Sequence, residues 1–115
     1  MSVTIWHNPR CTTSRKVLAM IRARGIEPKI IRYIETPPST SAIKAVLKEA
    51  GLQPHDLLRR KGTPYDELGL GDPKLTAKQL IAAMHKHPIL IDRPVVRTPK
   101  GTRLCRPPER VTEIL

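Results

Sequence analysis

Residues 3–34 read VTIWHNPRCTTSRKVLAMIRARGIEPKIIRYI, and the order of patterns in this stretch decides the fold. Val3-Thr4-Ile5-Trp6 is a short β-prone run that Asn8-Pro9 ends. From Cys11 the spacing turns helical. Val17, Leu18, Ile21 and the stem of Arg22 form one inward face, and Gly25 is placed to close the helix in a left-handed cap. Lys29–Ile34 is rich in β-branched residues and predicts a second strand. Strand, crossover helix and strand make a βαβ unit, whose two strands run parallel.

Outward from this unit the punctuation changes. Thr36-Pro37-Pro38-Ser39 breaks the chain, and Ser41–Ala50 predicts a helix with Ile43, Val46 and Leu47 inward and Gly51 at its end. Pro54–Arg60 reads as a further short helix. Pro64 and the Gly69–Pro73 stretch interrupt the chain again, and Thr76-Ala77-Lys78-Gln79 is a capping box that opens a helix through Lys86. Residues 38–87 thus read as a mainly helical insertion. Ile89-Leu90-Ile91 leads into Asp92-Arg93-Pro94. Val95–Thr98 and Thr102–Cys105 then form a hairpin around Pro99-Lys100-Gly101, and Pro107-Pro108-Glu109 begins a last helix. The order βαβ, helices, ββα predicts an α/β fold.

The 115 residues suggest one domain, 1–115. Hydrophobic residues at 39% and charged residues at 27% suit a globular chain. Its core must be mostly aliphatic, because Phe is absent and the aromatics are Trp6, Tyr33 and Tyr65. The longest uninterrupted apolar runs, Val17–Ile21 and Leu80–Met84, have five residues each. About 20 are needed to span a bilayer, so no membrane role is expected. The first residues lack the charged region, apolar run and cleavage site of a signal peptide. Two cysteines are too few for a disulfide framework, and reduced thiols in the cytoplasm are the expectation. The four histidines and two cysteines show no zinc-ligand spacing, so no metal is expected. Lys plus Arg outnumber Asp plus Glu by 21 to 10, a formal charge of +11. Nucleic acid is a poor explanation, since stacking aromatics are scarce and the cations are spread along the chain. An acidic partner or an oxyanion substrate remains open.

The loop His7-Asn8-Pro9-Arg10-Cys11-Thr12-Thr13-Ser14-Arg15 carries the chemistry. It sets a cysteine where a strand ends and a helix starts. Free backbone N–H groups and the macrodipole at that end favour an anion, and a thiolate is one. Its pKa there can fall from about 8.5 to roughly 3.5–7.5. Arg10 and Arg15 add positive potential, and the Ser14 or Thr13 hydroxyl is placed to donate to the sulfur. The same N–H groups suit a tetrahedral oxyanion, so the loop points to attack on an oxyanion or a disulfide. A lone intracellular cysteine is more often an inert buried thiol. Its place before a helix and beside arginines is what raises Cys11 above that background.

This loop resembles the active-site loop of the glutaredoxin-coupled arsenate reductases, the ArsC-like proteins of thioredoxin-like fold. The resemblance continues, in order, through Tyr33–Pro38, Leu57–Lys61, Pro64–Leu70, His87–Pro94 and Gly101–Pro107. It implies a thioredoxin-like core with a helical insertion. It also implies that Cys11 attacks arsenate, that glutathione and glutaredoxin resolve the adduct, and that arsenite leaves. By motif, Arg59, Arg93 and Arg106 would grip the oxyanion, with Arg60 as the alternative to Arg59. His7 and Ser14 would lower the cysteine pKa. The guanidinium fork suits a tetrahedral oxyanion. Ser14 stands where a second cysteine would close a loop disulfide, so an external thiol is required; the resemblance implies that glutathione is this co-substrate, with no bound cofactor. By analogy with the fold, the Arg93–Pro94 bond is expected to be cis. Cys105 reads as a structural thiol, since the mechanism does not need it. A monomer is expected, because no sustained apolar stripe is left over.

Two other readings stay open. Transcription regulators of the same fold family bind RNA polymerase and sense redox state through a C-x-x-C pair, which Ser14 removes here. A monothiol glutathione-dependent thiol–disulfide enzyme would use Cys11 alone and need no arsenate.

Overall fold

The computed structural model describes residues 2–115, which divide into two compact units. One comprises the chain up to Thr36 together with Arg93–Leu115, and the other is Pro37–Asp92.

The first unit is a four-stranded sheet with one long helix. Strands β1 (Thr4–Trp6), β2 (Lys29–Ile31), β3 (Val95–Thr98) and β4 (Gly101–Leu104) lie in the order β2-β1-β3-β4. β1 pairs parallel with β2 and antiparallel with β3, and β3 pairs antiparallel with β4. This is the thioredoxin-like α/β arrangement, with helix α1 (Thr12–Ala23) as the crossover between β1 and β2. Ile5 pairs with Ile30 on one side and Val96 on the other, so one face of the sheet presents an aliphatic row. Val17, Leu18 and Ile21 of α1 pack on that row with Val111 and Ile114 from the 3₁₀-helical segment Pro108–Glu113 and its end. Gly25 closes α1 at φ +75°, a conformation open to glycine at little cost, and its N–H reaches the Arg22 carbonyl at 2.9 Å.

Three readings of this unit need correction. The stem of Arg22 does not join the inward face; it is exposed and forks onto Glu27 at 2.9 and 3.0 Å. An exposed ion pair keeps the guanidinium hydrated, which burial would not. The second strand stops at Ile31 rather than Ile34, because β1 offers it only three residues to pair with. The chain then turns, with Thr36 N–H returning to the Arg32 carbonyl at 2.9 Å. The final helix is 3₁₀ and starts at Pro108.

The second unit is helical. α2 (Thr40–Ala50) buries Ile43, Val46 and Leu47 as the spacing predicts, capped by Ser39 through the Ala42 N–H at 3.1 Å. Two further helices are α3 (Pro54–Leu57) and α4 (Ala77–Lys86). α4 opens on the Thr76–Gln79 capping box and buries Leu80, Ile81 and Met84. α3 is shorter than the expected 54–60. Leu58 leaves the helix to form an antiparallel bridge with Ile91. Arg59 N–H then donates to the Leu90 carbonyl at 2.7 Å, and Asp92 N–H to the Leu57 carbonyl at 2.8 Å. Tertiary pairing overrides the local helical pattern here. Pro88–Leu90 is a 3₁₀ turn.

Candidate functional site

Cys11 is the N-cap residue of α1, in extended conformation at φ −92° and ψ 123°, and its side chain makes no capping bond. A tight turn sets it there. Asn8 accepts the Cys11 N–H on its carbonyl at 3.0 Å, and its Oδ1 accepts the Arg10 N–H at 3.0 Å. The helix starts at once, with Arg15 N–H reaching the Cys11 carbonyl at 3.0 Å. Cys11 is partly exposed at the mouth of the helix.

Three groups converge on its sulfur. Burial pushes the Cys11 thiol up, but the Ser14 backbone N–H, the Arg93 guanidinium and the Arg106 guanidinium outweigh it, and the net result lies below the ordinary thiol value. Arg106 Nη1 is 3.9 Å from Cys11 Sγ and also donates to the Arg93 carbonyl at 3.0 Å. Nε and Nη1 of Arg93 are shielded from solvent. Both arginines precede prolines, and both Arg93–Pro94 and Arg106–Pro107 are cis. The first agrees with the expectation from the fold; the second is an addition to it. The two segments are held side by side, with Cys105 N–H on the Pro94 carbonyl at 2.9 Å.

His7 and Ser14 lie beneath the loop, 5% and 0% exposed, so their polar atoms need partners inside the protein. Ser14 Oγ accepts the Asn8 N–H at 3.1 Å and is hydrogen-bonded to His7 Nδ1 at 2.6 Å. Burial, followed by the charges of Arg32, Arg22 and Arg15, lowers the His7 pKa, so the ring is neutral. At the sulfur, the Ser14 contact that lowers the Cys11 pKa is its backbone N–H. Arg15 bonds to the loop itself. It braces the loop, donating to the Pro9 carbonyl at 2.8 Å and to Thr12 Oγ1 at 3.3 Å.

A neutral buried histidine has a consequence for stability. Its folded pKa is below the ordinary 6.5, so the unfolded chain takes up a proton that the folded chain refuses. Stability must fall as pH drops below about 6.5. In urea titrations, His7→Gln flattens the decline between neutral and mildly acidic pH; an unchanged slope would show that His7 does not carry it.

Arg59 belongs to the helical unit. Its side chain is about one-fifth exposed, with Nη1 3.4 Å from Asp92 Oδ1 and Nε donating to the Lys61 carbonyl at 3.1 Å. Arg60 is exposed, paired with Asp66 at 2.9 Å and stacked over Tyr65. Cys105 is fully buried and its thiol is pushed up to about 12 by burial, so it holds its proton at neutral pH. In the sequence Asn8 reads only as a strand breaker. The signal that identifies its second role is an Asx turn, in which a side-chain carbonyl accepts the N–H two residues on.

A partly exposed thiol of lowered pKa, two guanidiniums and a helix N-terminus together make a nucleophile inside an anion cradle. The chain is similar to known proteins over nearly its whole length. Residues 6–114 match the ArsC family. An arsenate reductase from Rhizobium meliloti is 55% identical over all of this chain and 82% of its own length. One from Escherichia coli is 53% identical over 99% of this chain and 81% of its own length. The solved structure of the arsenate reductase from Vibrio cholerae superposes with a TM-score of 0.96 at 46% identity, covering 100% of this chain and 98% of that one. By the extent of the family match and the identity of these relatives, the chain belongs to the ArsC family.

Proposed function

We propose that this protein reduces arsenate to arsenite, with Cys11 as the nucleophile. The observation that carries the reading is the convergence of Arg106, Arg93 and the Ser14 N–H on the Cys11 sulfur. The relatives named arsenate reductase support the choice of oxyanion. The Cys11 thiolate attacks arsenic, an oxygen leaves as water, and a sulfur–arsenic bond forms. Arg93 and Arg106 carry the negative charge on the oxygens as sulfur approaches. We assign Arg59, rather than Arg60, as a third oxyanion ligand. Arg60 is committed at the surface to Asp66 and Tyr65, while Arg59 is better shielded from water. His7 and Ser14 hold the helix N-terminus that faces the sulfur.

Reduction needs two electrons, and Cys11 supplies a single sulfur. Cys105 cannot resolve the adduct, being buried and protonated. An external thiol is therefore required, and glutathione fills this role. It replaces a second oxygen on arsenic. Two electrons pass to arsenic as sulfur–sulfur bonding joins Cys11 to glutathione, and a water adds back one oxygen as arsenite departs. Glutaredoxin then takes the glutathionyl sulfur and frees Cys11. In sum, arsenate and two thiols give arsenite, one disulfide and water. A cytoplasmic setting supplies both reductants.

The test is arsenate-dependent NADPH oxidation with glutathione, glutathione reductase and glutaredoxin. Turnover is expected only when arsenate, glutathione and glutaredoxin are all present. Equal NADPH oxidation without arsenate, on a glutathione mixed disulfide, would replace this reading with thiol–disulfide exchange.

A further inference from the structure

The charge of the chain is unevenly divided. The sheet-bearing unit holds 13 Lys and Arg against 4 Asp and Glu, a net +9, whereas Pro37–Asp92 holds 8 against 6, a net +2. Around the Cys11 loop the imbalance is complete: residues 1–26 and 93–108 contain no carboxylate side chain. The first turn of α1 has no acidic residue, although the helix dipole favours one there. Local preference has been overridden at the end of the helix that carries the thiol.

Three of these cations border the loop and take no part in the proposed chemistry. Arg10 precedes Cys11 and is exposed. Arg15 lies across the loop, bonded to the Pro9 carbonyl and Thr12 Oγ1, neither of which neutralises it. Arg32 is exposed and follows Ile31, whose carbonyl accepts the His7 N–H at 2.8 Å. None of the three makes an ion pair among the described residues. The fields of Arg32 and Arg15 reach His7 beneath the loop.

We propose that Arg10, Arg15 and Arg32 form a cationic rim that selects anionic thiols and disulfides as the exchange partners of Cys11. The proposal rests on the proposed function in one respect, that Cys11 depends on an external thiol. Arg93 and Arg106 act on charge at the sulfur itself, whereas the rim acts on what approaches it. Glutathione, with two carboxylates and one ammonium, is an anion of the selected class. A cationic aminothiol is of the rejected class. Unpaired surface cations of one sign raise the encounter rate of an anion by about 10-fold or more, and salt removes the effect.

Thiol–disulfide exchange tests this without arsenate. The Cys11 thiolate attacks one sulfur of a reagent disulfide, the S–S bond breaks, and the other sulfur leaves as a thiolate with the bonding pair. The rate is measured with dianionic dithiobis(nitrobenzoate) and with uncharged dithiodipyridine, between about 10 and 300 mM salt. The uncharged reagent reports thiol pKa and access, so the ratio of the two rates isolates charge selection. In the native protein the ratio falls about tenfold as salt rises. The Arg10→Glu/Arg32→Glu variant lowers the ratio at low salt by about tenfold. An unchanged ratio in this variant overturns the proposal. Reaction of two thiols instead of one would show that the variant had opened and exposed Cys105. The Arg10→Gln/Arg32→Gln variant then decides, with a drop of about threefold expected and no drop overturning the proposal. A protein that selects anionic disulfides yet fails to turn over arsenate would keep the rim and lose the proposed substrate.

Discussion

Cys11→Ser abolishes arsenate-dependent turnover, a loss of at least about 10³-fold in kcat, while the protein stays folded. Two independent steps fail. The serine hydroxyl titrates far above any thiol, and the groups that hold a thiolate here, the Ser14 N–H, Arg93 and Arg106, cannot bring an alkoxide into the neutral range. An oxygen at position 11 also cannot form the sulfur–sulfur bond through which electrons reach arsenic. Stability should move the other way at neutral pH. Cys11 occupies the N-cap of α1 without capping it. Serine is a preferred N-cap, so the variant gains up to about 1 kcal/mol in urea unfolding near pH 7. That gain shrinks as pH rises. The folded Cys11 thiol ionises below its unfolded value, so the native thiolate contributes stability that is present above the unfolded pKa. That contribution fades as pH falls through the folded pKa, so the advantage of Cys11→Ser is largest on the acidic side. Residual turnover near the wild-type level would remove Cys11 from the nucleophile's role.

The parts of this chain that sequence discloses are those set by local chemistry. The βαβ unit reads directly because Asn8-Pro9 and Gly25 mark its corners and Val17, Leu18 and Ile21 mark the inward stripe. The capping box at Thr76 and the hairpin at Pro99–Gly101 are equally local. Errors arise where a distant partner decides. Lys29–Ile34 has strand chemistry throughout, but three-residue β1 limits the ladder. Residues 58–60 continue a helical pattern, yet the Ile91 bridge draws the backbone out of the helix.

The candidate site divides along the same line. Cys11 before a helix is legible from spacing, and its arginines enter only through the family resemblance, since any one among 21 basic residues looks like its neighbours. What no pattern discloses is which atoms serve. Arg15, close to the cysteine in the motif, turns to the Pro9 carbonyl, while Arg106, 95 residues along the chain, reaches the sulfur. Ser14 binds the buried His7 through its hydroxyl and meets the thiol through its backbone N–H. These are outcomes of tertiary closure, and residue type alone does not choose between them.

Arg106→Ala lowers kcat/KM for arsenate by about 10²–10³-fold and raises the pH at which Cys11 becomes reactive. Arg106 meets the sulfur through Nη1 at 3.9 Å, so its loss removes one of the charges that offset the burial cost of the thiolate. The pH profile of iodoacetamide alkylation therefore shifts upward, with the thiolate plateau reached later in alkali. Alkylation involves no oxyanion, so this shift measures the effect on the nucleophile alone. Turnover suffers more than the shift accounts for, because the same guanidinium is proposed to carry charge on the arsenate oxygens. At a pH where both proteins are fully ionised, the thiolate deficit vanishes and the loss that remains belongs to oxyanion binding. Arg106→Lys separates these contributions further. It restores a cation near the sulfur and returns the alkylation profile toward wild type. It lacks the planar fork, so it leaves most of the deficit in kcat/KM in place. Arg106 also ties the two proline-flanked segments by donating to the Arg93 carbonyl at 3.0 Å, and a lysine can reproduce that single donation. Full recovery of turnover in Arg106→Lys would thus assign Arg106 to charge and bracing alone, and would leave fork recognition of the oxyanion to other guanidiniums.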